Sequence, residues 1–125
     1  MANPNIVNVT SILGNTSLTE LTTNTETLIV NNADSSGKVY KINWLNAANK
    51  NTSANIRLTI SVNNQDDLGG SSFPIVSNVV VPSNTSLIVT DKSTSFYLLE
   101  NQSIGATAAA ANSEIIISSS WEELN

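Results

Sequence analysis

Ile56-Arg57-Leu58-Thr59-Ile60-Ser61-Val62-Asn63 alternates an aliphatic side chain with a polar or charged one at every step. Successive side chains of an extended strand point to opposite faces, so this octet gathers Ile56, Leu58, Ile60 and Val62 on one side. That is the signature of a half-buried β-strand. The same period recurs upstream, where Tyr40, Ile42 and Trp44 alternate with Lys41 and Asn43 and so are expected to share a core face. It recurs again near the end, where Ile115, Ile117, Ser119 and Trp121 fall on one face.

Weaker strands are expected at Ile6–Leu13, Thr27–Asn31, Phe73–Val81, Ser86–Thr90, Ser95–Leu99 and Ser103–Ala109. Turn clusters separate them: Asp34-Ser35-Ser36-Gly37, Asn49-Lys50-Asn51, Asp66 to Gly70, Pro82-Ser83-Asn84 and Asn112-Ser113. Alanine favours helix, but Ala106–Ala111 runs straight into turn residues and Ile115-Ile116-Ile117. It is therefore read as a strand whose small side chains admit a close neighbour. No segment carries a helical stripe. The expectation is an all-β, antiparallel β-sandwich of jelly-roll or Ig-like type with eight or nine short strands. Residues 1–27, rich in Thr and Asn, read as an N-terminal arm and edge strand, residues 28–125 as the sandwich, and the whole as one domain.

Composition narrows the function. Charged residues are only 12% of the chain, and Asn, Ser and Thr together supply 50 of its 125 residues. Solubility then rests on neutral hydrogen-bonding groups, and a thinly charged, β-branched surface favours assembly with like surfaces. The net charge is −5, with no basic residue before Lys38 or after Lys92. Five scattered cations make no phosphate-tracking stripe, so nucleic acid is not an expected partner. An acidic surface does not favour anionic membranes either. The N-terminus lacks the basic and apolar regions of a secretory signal, and no apolar run approaches a membrane span.

The chain contains no histidine and no cysteine, which removes triad catalysis and imidazole or thiolate metal sites. Ser35 and Lys38 have Ser-x-x-Lys spacing, but that chemistry needs both on one helical face. Here a turn is expected. Asp66 and Asp67, preceded by Asn63 and Asn64, lack the alternating acids and distal Glu of a calcium loop and read as a solvated hairpin loop. Glu122 and Glu123 point to opposite faces of a strand and form no acid pair. Asn-x-Ser/Thr at Asn8, Asn15, Asn51, Asn84 and Asn101 occurs no more often than composition dictates. No catalytic, cofactor or metal residue is assigned, and an enzyme is not expected.

Residues 79–124 read VVVPSNTSLIVTDKSTSFYLLENQSIGATAAAANSEIIISSSWEEL. The order of elements is Val81-Pro82, Leu87–Val89, Asp91-Lys92, Tyr97-Leu98, Glu100-Asn101, Ala106–Ala111 and Ser120-Trp121-Glu122-Glu123. This resembles a group of small virion structural proteins of tailed bacteriophages. The paired strands at Asn43–Ile60 extend the likeness, which covers roughly Lys41 to Leu124. Trp121 stands where that group more often carries Tyr, and the N-terminal third has no counterpart. The resemblance implies a non-enzymatic virion protein, assembled in the host cytoplasm, that binds the major capsid protein or other virion proteins as a capsid decoration or cement subunit. The first alternative is a neck, tail or baseplate adaptor or fibre-associated protein. A carbohydrate-binding module is the alternative of another class.

Assembly is expected to use Ile6, Val7, Ile12, Leu13 and Trp121. The first four would fill pockets as the stretch Asn5–Thr27 lies along a neighbouring subunit by strand addition. A homo-oligomer is expected, with a trimer the first choice.

Overall fold

The computed structural model describes residues 4–125. The chain passes through β1 (Ile12–Leu21), β2 (Thr27–Asn32), β3 (Val39–Asn49), β4 (Ile56–Asn63) and β5 (Ser72–Val81). It continues through β6 (Thr85–Thr90), a 3-10 turn at Lys92–Thr94, β7 (Phe96–Leu98), β8 (Gln102–Ala108) and β9 (Ile115–Leu124). The strands form two antiparallel sheets packed face to face. Sheet A has the order β1-β9-β3-β6, with β7 also paired to β3, and sheet B has the order β2-β8-β4-β5.

The pairings are nested. β4 pairs with β5, β3 with β6, β2 with β8 and β1 with β9, so the chain is one long antiparallel ribbon whose tip is the loop after β4. Rolling the ribbon brings β9 beside β3 and β8 beside β4, which closes the sheets. That connectivity is a jelly roll, which resolves the two sandwich types left open by the sequence.

The alternation of residues 56–63 holds through Ile60; beyond it Val62 is half-buried against the core, and Ser61 and Asn63 are buried as well. Ile56, Leu58 and Ile60 are buried between the sheets while Arg57 is exposed. They meet Ile42, Leu45, Ile115 and Ile117 of sheet A and Ile104, Ala106 and Ala108 of β8. Each fully buried aliphatic contributes about 1.5–3 kcal/mol relative to exposure. The alanine run divides. Ala106 and Ala108 face inward on β8, and the strand ends there, with Asn112 in the left-handed region closing the turn that follows.

Two expectations need correction. Ile6–Leu13 is not a strand until Ile12, because Asn5 folds the chain first: its side chain accepts from the Val7 N–H and its carbonyl from the Asn8 N–H, both at 3.0 Å. The region Ile12–Leu21 instead forms a ten-residue edge strand, and its last residue, Leu21, enters the core. Trp44 does not share the face of Tyr40 and Ile42. The register of β3 against β9 shifts between Ile42 and Trp44, and this bulge at Asn43 turns Trp44 to the outside.

Two buried amides tie the sheets together. Asn32 Nδ2, on sheet B, donates to the carbonyls of Lys38 and of Leu98 on sheet A. Asn49 Nδ2, on sheet A, donates to the Ala54 carbonyl and to that of Val81 on sheet B, both at 2.9 Å. Asparagine also takes turn and bulge positions that glycine often fills. With five glycines in the chain, Asn78, Asn84, Asn101 and Asn112 adopt positive φ, which Asn tolerates better than other side chains.

Candidate assembly surfaces

The outer face of sheet A follows from the register of five strands. Across it, Glu122 pairs with Lys41 and Lys41 with Tyr97; Ser120 pairs with Trp44; Leu18 pairs with Ser118, Ser118 with Asn46 and Asn46 with Ile88. This surface is a field of Ser, Thr and Asn from which Leu18, Trp44, Ile88 and Tyr97 project, all exposed. Its charges are few: Lys41 stands between Glu122 and Tyr97 in the register, Asn43 Nδ2 donates to Glu122 Oε1 at 2.8 Å, and Glu20 pairs with Lys50 at 3.1 Å.

Sheet B presents a different exterior. The ribbon tip folds back over it, and the consecutive N–H groups of Asp66, Asp67 and Leu68 donate to Asn101 Oδ1, Asn31 Oδ1 and Ser103 Oγ. Asp67 and Leu68 both adopt positive φ to aim them. Further along the sheet, the Glu26 carboxylate covers Gly105 so closely that any Cβ there would collide with it, and Asn63 Nδ2 donates to Glu26 at 3.3 Å. The loop at Asp66 and Asp67 is thus fastened to the sheet rather than free in solvent, and Asp66 Oδ2 accepts the Asp34 N–H at 3.0 Å.

The expected contact residues separate into two groups. Ile6, Val7, Ile12 and Leu13 are exposed. Trp121 faces inward, where its ring stacks on Tyr40 with centroids 6.0 Å apart and 22° between planes. Among the described residues, its buried Nε1 has no hydrogen-bond partner. Beside this pair, Glu123 accepts from Lys38 Nζ at 3.1 Å and from Asn15 Nδ2. Burial raises the Tyr40 pKa above the usual tyrosine value, the Glu123 charge adds to that rise, and Lys38 opposes it.

Ser35 and Lys38 lie in a turn, with Ser35 at positive φ and the Lys38 amine committed to Glu123. Among the described residues, no group of three or more His, Cys, Asp or Glu side chains converges as a metal site. Nor is any helix among them long and apolar enough to cross a membrane. A shallow open hollow of about 410 Å³ lies between the end of β3 and the start of β6; its lining includes Asn49, Asn84 and Lys50.

Sequence reasoning missed Trp44, Tyr97, Ile88 and Leu18 as one surface. Each stands in a different strand, and only the register brings them to the same face. A scan against protein-family models finds none that matches this chain, and a search of curated proteins finds no relative.

Proposed function

We propose that this chain is a non-enzymatic structural protein of tailed-bacteriophage virions, docking on the particle surface as a capsid decoration or cement subunit. The observation that carries this reading is the outer face of sheet A, a neutral five-stranded platform from which Leu18, Trp44, Ile88 and Tyr97 project. Exposed aromatic side chains on a thinly charged face fit protein–protein contacts, where a few aromatics dominate the binding energy. The turn-and-strand order of residues 79–124 supplies the phage context by resemblance. Jelly rolls also serve in viral capsids, which is an analogy of fold alone.

Exposure of Trp44 and Tyr97 on one face favours a second reading, a carbohydrate-binding module, because sugars stack on such rings. Binding of the purified chain to phage heads, to isolated tails and to host surface polysaccharide separates the alternatives. Saturable binding to heads supports decoration. Binding to tails alone moves the protein to the neck, tail or baseplate, and binding to polysaccharide alone replaces the reading with the second one.

A further inference from the structure

The four sheet edges differ in how they discourage pairing with another strand. β5 carries Pro74 and two register shifts against β4, and β2 is a six-residue strand with a shift between Leu28 and Val30. The free side of β3 is divided between short β6 and three-residue β7, with a shift between Leu45 and Asn46. Proline, bulges and short strands are the usual means of blocking an edge. β1 has none of them. Its ten residues pair with β9 without a shift, it contains no Pro, Lys or Arg, and it exposes Ile12, Leu13 and Leu18.

The open hydrogen-bonding groups of β1 can be assigned. Ser11 and Asn125 exchange N–H and C=O with each other, at 3.2 and 3.1 Å. Backbone direction alternates along a strand, so the odd-numbered residues of β1 bond to β9. Ile12, Gly14, Thr16, Leu18 and Glu20 then direct theirs to the free edge. The side chains of these same residues lie on the outer face.

We infer that a second copy of this chain occupies this edge, its β1 antiparallel to the first about a twofold axis at Thr16. In that register Thr16 meets its own copy, Gly14 lies opposite Leu18, and Ile12 lies opposite Glu20. The strand is self-complementary there. Leu18 is 74% exposed, and a Cβ built on Gly14 would meet none of the described residues within 4 Å, so each leucine has an open socket on the other chain. Glu20 is the only charge on β1. The antiparallel register sets the two copies of it eight residues apart along the strand, about 26 Å, whereas a parallel pair would align them. The result is a ten-stranded sheet presenting two copies of the proposed docking face side by side. An isologous contact closes at two chains, in place of the trimer expected from the sequence.

The inference rests on the assembly reading for its purpose and on the edge geometry for its existence. The test uses the full chain in sedimentation velocity and in oxidative cross-linking, which is clean because the chain has no cysteine. The wild type is expected to dimerise. Thr16→Pro, which removes an N–H not used by β9, and Leu18→Lys are expected to lose the dimer with the β circular-dichroism spectrum retained. Thr16→Cys is expected to cross-link to itself, while Ile75→Cys on the β5 edge is not. A monomeric wild type, a dimer that survives both Thr16→Pro and Leu18→Lys, or cross-linking through Ile75→Cys but not Thr16→Cys overturns the pairing. Head binding that persists in a monomer leaves the assembly reading standing without the twofold pair.

Discussion

The Asn32 side chain on sheet B donates to the Leu98 carbonyl on sheet A at 3.1 Å, with both residues wholly buried. An edge strand carries backbone groups that a neighbouring strand does not satisfy, and here a side chain from the opposite sheet reaches one of them. Asn49 does the same for the Val81 carbonyl in the reverse direction. The amides therefore act as cross-sheet ties as well as buried polar groups.

Replacing either amide by Ala leaves two carbonyls without their donor. Each buried unsatisfied group costs about 1–3 kcal/mol. Asn32→Ala and Asn49→Ala are each expected to lower the urea midpoint markedly, and Asn46→Ala on the outer face is not. Equal midpoints for all three would remove the ties from the account.

Core direction is tested on β4. Leu58→Ala and Ile60→Ala should cost about 2–5 kcal/mol each, and Thr59→Ala much less. Comparable losses at Leu58 and Thr59 would mean the strand's faces are reversed.

The two tryptophans should behave oppositely. Trp121→Ala removes a stacked inner ring and is expected to cost about 3–5 kcal/mol. Trp121→Phe should cost less, since the indole N–H has no partner to lose among the described residues. Trp44→Ser should leave the melting temperature almost unchanged. A large loss at Trp44 would contradict the bulge at Asn43.

Alkaline stability reports on Tyr40. Its pKa is raised in the folded chain, chiefly by burial and then by Glu123. The folded state therefore holds the phenolic proton more tightly than the unfolded state, whose pKa is about 10. The resulting stability is fully present below that value and is lost as pH rises through the higher folded one. Urea midpoints measured on either side of this window should fall more in the wild type than in Tyr40→Phe. Parallel falls would show that Tyr40 does not contribute.

Much of the fold was legible because its central strands carry a period of two. Ile56 to Val62 and Ile115 to Trp121 each carry a period that burial requires. The surface was harder to read. Trp44 obeys the period in sequence, but one inserted residue at Asn43 reverses its face, and a bulge leaves no compositional mark. β1 was read only as an arm and edge strand, since a strand of Thr, Ser and Asn with one buried end shows little hydrophobic contrast. The covering of sheet B by residues 64–71 was also hidden. It depends on backbone N–H groups meeting Asn31, Asn101 and Ser103, contacts distant in sequence that no local pattern records.

The central claim is that the outer face of sheet A docks the protein on a phage head. Co-sedimentation with purified heads, comparing wild type with a Trp44→Ser/Ile88→Ser/Tyr97→Ser variant, tests it most directly. The account predicts saturable binding by the wild type and its loss in the variant, with the melting temperature preserved because all three side chains are exposed. Equal binding by both chains, or no binding by the wild type, would contradict it.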